Sequence, residues 1–355
     1  MLADMLRMGH SIFMRRLPPF VYGAARLYGP PVFIYHRIDP RLFEEDLKYL
    51  TANDYVFLDD MHLRAVLQGE EPFTGREAAL TFDDGYDDLL DTIEPLLRSY
   101  GAVATAFIAP GLIGHPGYLG WEDLRRLSLS GTVGIGAHSY RHAKIFVSGI
   151  LEQFYVPADI REETVVLCNG LDTFLSLDGR YGRPLYHAAS RLCDSPRYLE
   201  DERLTALCVE CAAATGAQPG SEAWMQELYS LCRSYKKSYG DGGRLETPRE
   251  QEEAVAAELI RARSVLEEKL DRRVASLCLP WNEGGELVRR LCPPAGYNAC
   301  FAGYMHGNRS NSAGTDPYSI CRLSGDFVRT LPGRGRVGLV SILAGKAGRR
   351  LCTAV

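Results

Sequence analysis

Short apolar runs alternate with segments of helical spacing along residues 30–145 of this chain. Buried parallel strands are short runs rich in apolar and β-branched residues, whereas a helix repeats its apolar side chains with helical spacing along one face. The runs that predict strands are Val32–His36, Val56–Leu58, Glu77–Phe82, Ala102–Ala109 and Val133–Ala137. The segments that predict helices are Arg41–Leu50, Met61–Leu67, 88–100 and Trp121–Leu129. This steady alternation predicts an α/β fold built from parallel strand–helix units.

The alternation stops near residue 145 and resumes near residue 246. Residues 146–245 have helical patches at 200–214 and 222–235 but little strand pattern, so we interpret them as an inserted, mostly helical subdomain. A helix over Pro248–Arg272 and a strand over Val274–Leu279 then restore the α/β pattern. The expected organisation is an N-terminal segment at 1–29, an α/β domain at 30–145 and 246–345, and the insertion at 146–245.

Composition excludes several classes of protein. Of the 355 residues, 46% are apolar and 24% are charged, and the net charge is −5. This is ordinary globular composition. The net negative charge gives no sign of the basic surface that binds nucleic acid, so we expect no nucleic-acid partner. The ten irregularly spaced cysteines favour reduced thiols in a cytosol over a disulfide framework. Cys208 and Cys211 have zinc-ligand spacing, but no second pair stands nearby, so buried thiols are favoured there.

The N-terminal segment mixes apolar positions with Arg7, His10, Arg15 and Arg16. It has no uninterrupted apolar run and no small-residue cleavage site, so we expect no signal peptide and a cytosolic protein. Two interpretations stay open for this segment. A helix packed on the fold is favoured, and a basic amphipathic segment in peripheral contact with the inner face of the membrane is the alternative.

Two pairs of polar residues carry the candidate chemistry. Asp83 and Asp84 end an apolar strand, directly before Gly85, and adjacent buried carboxylates need a cation or a proton to relieve their repulsion. His138 and His142 follow the Val133–Ala137 strand, and a spacing of four residues directs two imidazoles to one point if the segment turns helically. Two imidazoles and one carboxylate form the ligand set expected of a catalytic divalent ion.

At this point the chain resembles the polysaccharide deacetylases of carbohydrate esterase family four. The resemblance covers about 30–145 and 246–330 and rests on four motifs, which are Tyr35-His36-Arg37, Thr81-Phe82-Asp83-Asp84-Gly85-Tyr86, Gly136-Ala137-His138-Ser139-Tyr140-Arg141-His142 and Leu279-Pro280-Trp281. It implies a distorted (β/α)7 barrel, here with a mostly helical insertion. It also implies an enzyme that removes acyl groups from sugars with the help of a divalent metal.

The resemblance assigns roles by position. Asp84, His138 and His142 would hold the metal, and Asp83 would be the general base that takes a proton from the attacking water. The backbone N–H of Trp281 would help to stabilise the oxyanion. Pro280 and Tyr86 are assigned to the substrate pocket. The expected ion is Zn²⁺, with Ni²⁺, Co²⁺ or Mn²⁺ as alternatives.

The chain departs from the family pattern in three places. The apolar strand that ends in a catalytic histidine stands at the start, as Val32–His36, which resembles a permuted arrangement in some exopolysaccharide deacetylases. We therefore favour His36 as the general acid, with His306 as the alternative. Cys278 and Leu279 stand where an arginine often precedes the Pro-aromatic motif, and Arg322 could orient the base instead. The third departure is the long insertion, whose aromatic residues could stack on a sugar or a lipid, although packing is the favoured use: Phe154, Tyr155, Phe174, Tyr181 and Tyr186.

The leading hypothesis is a metal-dependent hydrolase that removes an N-acetyl group from an amino sugar, in a glycan or in a nucleotide- or lipid-linked saccharide. Removal of a formyl group from a lipid-linked amino sugar is the enzymatic alternative. An inactive carbohydrate-binding protein is the alternative from another class, and the intact Asp83, Asp84, His138 and His142 argue against it.

Overall fold

A computed structural model of the chain describes residues 17–156, 165–167, 181–303 and 310–353. The chain divides into two compact units. The first unit comprises Met1–Tyr140, Leu259–Asn282 and Cys292–Val355, and the second unit comprises Arg141–Glu258 and Glu283–Leu291. The predicted insertion at 146–245 lies inside the second unit.

The first unit contains a closed barrel of seven parallel strands. The barrel belongs to a sheet of eight strands, of which all but β2 form the closed ring. These strands are β1 (Val32–Tyr35), β2 (Val56–Leu58), β3 (Glu77–Asp84), β4 (Ala104–Ile108), β5 (Val133–Ala137), β11 (Ser276–Cys278), β12 (Ala299–Gly303) and β13 (Ile320–Ser324). Hydrogen bonding follows the order β1-β13-β12-β11-β5-β4-β3, and pairing of β1 with β3 closes the ring. Strand β2 pairs with β3 outside this ring. The predicted (β/α)7 architecture is therefore confirmed.

The register of the barrel brings the carboxyl ends of its strands to one edge. Asp84 is paired with Ile108, Ile108 is paired with Ala137, and Ala137 is paired with Leu277. On the other side of the ring, Gly303 is paired with Arg322. The residues that follow β3, β5 and β11 therefore emerge at the same end of the barrel, where α/β barrels carry their chemistry.

Helices connect the strands in both units. They are α1 (Pro40–Ala52), α2 (Asp60–Gln68), α3 (Glu94–Ser99), α4 (Trp121–Leu129), α5 (Glu202–Ala214), α6 (Glu222–Tyr239), α7 (Pro248–Leu270), α8 (Glu286–Leu291) and α9 (Leu339–Thr353). Helix α1 begins at Pro40 because the Asp39 carboxylate caps it, accepting a hydrogen bond from the Arg41 N–H at 2.9 Å. The predicted helix at 88–100 is instead a short π-helix, Leu89–Ile93, that continues into α3.

The core of the first unit lies where helices cover the barrel strands. Its buried cluster includes Val32 of β1, Phe107 of β4, Phe301 of β12 and Ile320 of β13, each at most 1% exposed. The aromatic rings of Phe107 and Phe301 lie 4.8 Å apart, which adds specific ring contact to the burial of apolar area. Each of these residues belongs to a strand that is apolar over most of its length, as parallel strands require.

The second unit contains more strand than the sequence predicted. Strands β6 (Ala143–Phe154), β7 (Val165–Leu167) and β8 (Pro184–Ser190) form a three-stranded sheet, and β9 (Tyr198–Leu199) pairs with β10 (Arg244–Leu245). The prediction missed this sheet because much of β6 is only half-buried and does not alternate cleanly between apolar and polar residues. The predicted helical patches are confirmed as α5 and α6.

The aromatic side chains predicted in the insertion mostly pack within the second unit. Phe154 contacts Trp224 and Tyr229, and Tyr186 contacts Phe146 and Tyr198. Tyr155 is buried and stacks on Tyr181, which is 37% exposed, whereas Phe174 lies outside the described residues. Cys208 is buried in α5 with its Sγ 3.5 Å from Sγ of Cys232, which reflects close packing of α5 on α6.

No helix within the described ranges combines the length and the apolar character needed to cross a bilayer. The N-terminal segment up to residue 16 lies outside those ranges, so its predicted helix and membrane contact stay predictions.

Candidate active site

Strand β3 ends in the two adjacent carboxylates Asp83 and Asp84, which are buried at 3% and 5% exposure. The chain turns at once, since φ is 74° at Asp84 and 86° at Gly85. A Cβ atom on Gly85 would lie 3.1 Å from Cδ1 of Ile108, in addition to the strain of a left-handed φ. Glycine therefore permits the turn that leaves both carboxylates at the carboxyl edge of the barrel.

His138 follows β5 and is oriented by the backbone of β11. Its Nδ1 lies 2.9 Å from the carbonyl oxygen of Cys278, so this nitrogen carries the proton and donates it to the carbonyl. The other nitrogen, Nε2, then presents its lone pair 3.4 Å from Oδ1 of Asp84 and 3.7 Å from Oδ2 of Asp83. Such orientation of one imidazole nitrogen by a hydrogen bond on the other is typical of metal-binding histidines.

Asp84, His138 and His142 could hold a metal ion. Each is buried and offers one ligand atom, and the three atoms all lie within 4.8 Å of one another. Burial alone lowers the pKa of His138, but Cys278, Asp83 and Asp84 raise it by more, to well above its ordinary value. The cluster therefore has a negative potential that favours a bound cation, and its imidazole and carboxylate donors suit zinc and related divalent ions.

Arg322 of β13 binds Asp83 through both carboxylate oxygens. Nη1 donates to Oδ1 at 2.6 Å and Nη2 donates to Oδ2 at 2.9 Å, and both side chains are buried. Arg322 also donates to Oγ1 of Thr81 and to Oδ1 of Asn282. Burial alone would raise the pKa of Asp83, but Arg322, together with His138 and His36, lowers it below its ordinary value. Asp83 is therefore held ionised, as a proton acceptor must be.

His36 lies directly after β1, at the same edge of the barrel. Its Nε2 is 3.9 Å from Oδ2 of Asp83, and its side chain is 52% exposed. An imidazole in this position can exchange protons with solvent and reach the neighbourhood of the base. The competing candidate, His306, lies outside the described residues.

The remaining predicted residues occupy two loops. Pro280 is buried and Trp281 is half-buried in a turn after β11, where φ is 53° at Trp281 and 57° at Asn282. Tyr86 follows Gly85, and its ring stacks on Tyr118 with the Arg37 guanidinium 4.6 Å from its centre. The oxyanion role of Trp281 and the substrate roles of Pro280 and Tyr86 stay predictions.

Backbone strain is concentrated around this site. Among the described residues, seven that are not glycine have positive φ, and five of them lie in the loops that carry the candidate chemistry: Asp84, Ser139, His142, Trp281 and Asn282. Such conformations cost about 1–3 kcal/mol each and persist only where the surrounding structure holds them. Their clustering is typical of a site that has been organised for function.

Sequence reasoning missed three contributors to the site. Oδ1 of Asn282 accepts a hydrogen bond from Arg322. The ring centre of Phe107 lies 5.6 Å from Cζ of the same guanidinium. Sγ of Cys278 lies 3.8 Å from both carboxylate oxygens of Asp83. Asn282 directly follows the Leu-Pro-Trp motif, so its position was a usable signal. Phe107 is an ordinary strand residue in the sequence, and only the closed barrel brings it beneath Arg322.

Comparisons with known proteins find similarity to polysaccharide deacetylases. Residues 70–167 match the family model described as polysaccharide deacetylase. The chain is 28% identical over 123 residues to the "Putative polysaccharide deacetylase YxkH" of Bacillus subtilis (strain 168). This match covers 32% of the chain and 44% of that relative, so it spans less than half of the relative's length. The match at residues 70–167 contains Asp83, Asp84, His138 and His142.

Two solved structures are similar over most of the chain. IcaB from Ammonifex degensii is 16% identical, with a TM-score of 0.51 over 86% of this chain and 96% of its own. A de-N-acetylase from Aggregatibacter actinomycetemcomitans is 14% identical, with a TM-score of 0.54 over 89% of this chain and 98% of its own. At these identities the similarity establishes a shared barrel fold.

Proposed function

We propose that this protein is a metal-dependent amide hydrolase that removes an N-acetyl group from an amino sugar. The observation that carries the proposal is the juxtaposition of Asp84, His138 and His142, within metal-binding distance, with Asp83, which Arg322 keeps ionised. The polysaccharide deacetylase match over residues 70–167 supports the reaction class.

Asp84, His138 and His142 would hold the ion, for which we propose Zn²⁺, with Ni²⁺, Co²⁺ or Mn²⁺ as alternatives. A divalent ion supplies Lewis-acid activation of a water molecule and of the acyl carbonyl. The donor set fits this use, because three protein ligands leave a position for water or substrate.

Asp83 is the proposed general base. Its Oδ2 faces Nε2 of His138 at 3.7 Å and Nε2 of His36 at 3.9 Å, so it borders the space where water would be activated. Two hydrogen bonds from Arg322 fix the carboxylate in one orientation, and each oxygen keeps a second lone pair with which to accept a proton.

His36 is the proposed general acid. Cleavage of an amide expels an amine, which leaves only after its nitrogen gains a proton. The side chain of His36 is 52% exposed, so a proton that it gives up can be replaced from solvent. We propose that Nε2 of His36 gives this proton.

His36 also lines a cavity whose walls contain none of Asp83, Asp84, His138 and His142. It has a volume of about 510 Å³ and lies within the range of ordinary ligand pockets. Its walls combine His36 and Arg37 with the carboxylates of Asp46 and Asp326 and the hydroxyl of Ser324. We propose this cavity as a subsite next to the general acid, where these polar groups would hydrogen-bond a sugar.

The proposal is tested by incubating the purified full chain, loaded with Zn²⁺, with N-acylated amino sugars. The panel contains free oligosaccharides and nucleotide- and lipid-linked forms, and released acetate and formate are quantified. Acetate release that disappears in Asp83→Asn is the expected result. Release of formate alone would instead assign a deformylase. Release of neither acid from any member would favour an inactive carbohydrate-binding protein. The cytosolic location and the membrane contact of the N-terminal segment stay predictions from the sequence.

A further inference from the structure

Cys278 places a thiol inside the site, at a position where the sequence departs from the family pattern. It is the last residue of β11 and is fully buried. Its Sγ lies 3.8 Å from Oδ1 and 3.8 Å from Oδ2 of Asp83. Cys278 also belongs to the buried apolar cluster of the barrel, and the proposed hydrolysis does not use its sulfur.

Asp83, His138 and Cys278 form a second group of three ligand atoms within 4.8 Å of one another. Ligands at about 2.0–2.3 Å from a tetrahedral ion are about 3.3–3.8 Å apart. The separation of 3.7 Å between Nε2 of His138 and Oδ2 of Asp83, and the 3.8 Å between Sγ and the carboxylate, agree with this spacing. All three residues are buried, so an ion bound there would be shielded from water.

We propose that Asp83, His138 and Cys278 are a second, thiophilic metal site that competes with the Asp84–His138–His142 set. Thiolate, imidazole and carboxylate together are zinc ligands, and sulfur adds a preference for softer ions such as Cd²⁺. The first set contains no sulfur and lacks that preference. On binding, the S–H bond of Cys278 breaks, a sulfur–metal bond forms and the proton passes to solvent, with no change of oxidation state.

The two sets exclude each other because they share one nitrogen. Nδ1 of His138 is engaged with the Cys278 carbonyl, which leaves the single lone pair of Nε2 for a metal. One ion per chain is therefore bound at a time. An ion in the second set takes Asp83 as a ligand, so that Asp83 can no longer accept a proton from water and hydrolysis stops.

Cobalt tests this assignment by spectroscopy. The full chain is loaded with Co²⁺, and thiolate coordination is detected as near-ultraviolet sulfur-to-cobalt charge-transfer absorption. We expect this absorption in the wild type, an increase in His142→Ala, which damages only the first set, and its loss in Cys278→Ser. Cys300→Ser is the matched control, because Cys300 is also fully buried, in the neighbouring strand β12, and belongs to neither set.

Circular dichroism checks that each variant is folded, and Cys278→Ala provides a second variant without the thiol. Absence of the charge-transfer absorption from the wild type, or its survival in Cys278→Ser and Cys278→Ala, would overturn the proposal. Failure to bind Co²⁺ at all would overturn it as well.

Inhibition by cadmium separates this inference from the proposed function. Excess Cd²⁺ should inhibit the wild type, and inhibition of Cys278→Ser should require at least about tenfold more Cd²⁺ because one soft ligand is missing. Charge-transfer absorption in the wild type, together with no hydrolase activity in Zn²⁺-loaded Cys278→Ser, where the second set is disabled, would refute the proposed function and leave the metal site standing. Hydrolase activity in a protein that shows no charge-transfer absorption would refute the second metal site and leave the proposed function standing.

Discussion

Arg322 holds Asp83 through two parallel hydrogen bonds, of 2.6 Å and 2.9 Å, although the two residues are 239 positions apart in the chain. Paired N–H groups of a guanidinium match a carboxylate in both charge and geometry. In a buried site this contact fixes the orientation of Asp83 and keeps it ionised. The behaviour of Asp83 should therefore depend on a residue of a distant strand.

Replacement of Arg322 should change the pH dependence of the reaction. Arg322 lowers the pKa of Asp83, so its loss in Arg322→Met should raise that pKa and leave the base protonated over a wider acidic range. The acidic limb of the kcat/KM profile should move to higher pH, and unfolding should require about 3–5 kcal/mol less because a buried charge loses its partner.

Arg322→Lys keeps the positive charge without the paired geometry and should give a smaller shift of that limb. Arg290→Lys is the matched control, because Arg290 makes the same kind of paired contact with Glu252 at the surface, with hydrogen bonds of 3.0 Å and 2.8 Å. If the acidic limb of Arg322→Met coincides with that of the wild type, Arg322 does not tune Asp83.

Asp83→Asn should remove the base while leaving the first ligand set intact. We expect kcat to fall by about 10²–10⁴-fold, which is the usual contribution of a general base, with metal content close to that of the wild type. Steady-state kinetics and elemental analysis measure the two quantities. Asp87→Asn is the control, since Asp87 is exposed and pairs with Arg37. Undiminished turnover in Asp83→Asn would exclude Asp83 as the base.

His138→Ala should abolish metal binding, because His138 belongs to both groups of ligand residues. The expected metal content after dialysis is near zero, measured by elemental mass spectrometry. His187→Ala is the control, since His187 is exposed and pairs with Glu152. Full metal occupancy in His138→Ala would contradict both ligand sets.

His36→Gln should impair release of the amine without loss of metal. The amide reaction should slow by about 10²–10⁴-fold, because an amine leaves poorly without a proton. Hydrolysis of an aryl acetate should change little, since a phenolate leaves without protonation. Measurement of both substrates therefore distinguishes general acid catalysis from a structural role. An amide rate that equals the wild-type rate would transfer the acid role to His306 or to another group.

The hydrophobic pattern by itself predicted an α/β fold of parallel strand–helix units and the placement of the first candidates, and the resemblance to polysaccharide deacetylases supplied the (β/α)7 barrel. Apolar runs that alternate with helical segments predict parallel strands, and parallel strands present their carboxyl ends at one edge. Asp83 and Asp84 after β3 and His138 after β5 therefore had to converge. The helix Trp121–Leu129 and the strand Val133–Ala137 have the bounds that the pattern predicted.

Only the tertiary structure decided the partners of these residues. Closure of the ring brings Arg322 of β13 onto Asp83 and places the Cys278 thiol beside the same carboxylate. The sheet formed by β6, β7 and β8 was missed because much of β6 is half-buried, so its residues do not alternate cleanly between apolar and polar. Local patterning reports which face of an element is buried, whereas the identity of its neighbour depends on contacts between residues far apart in sequence.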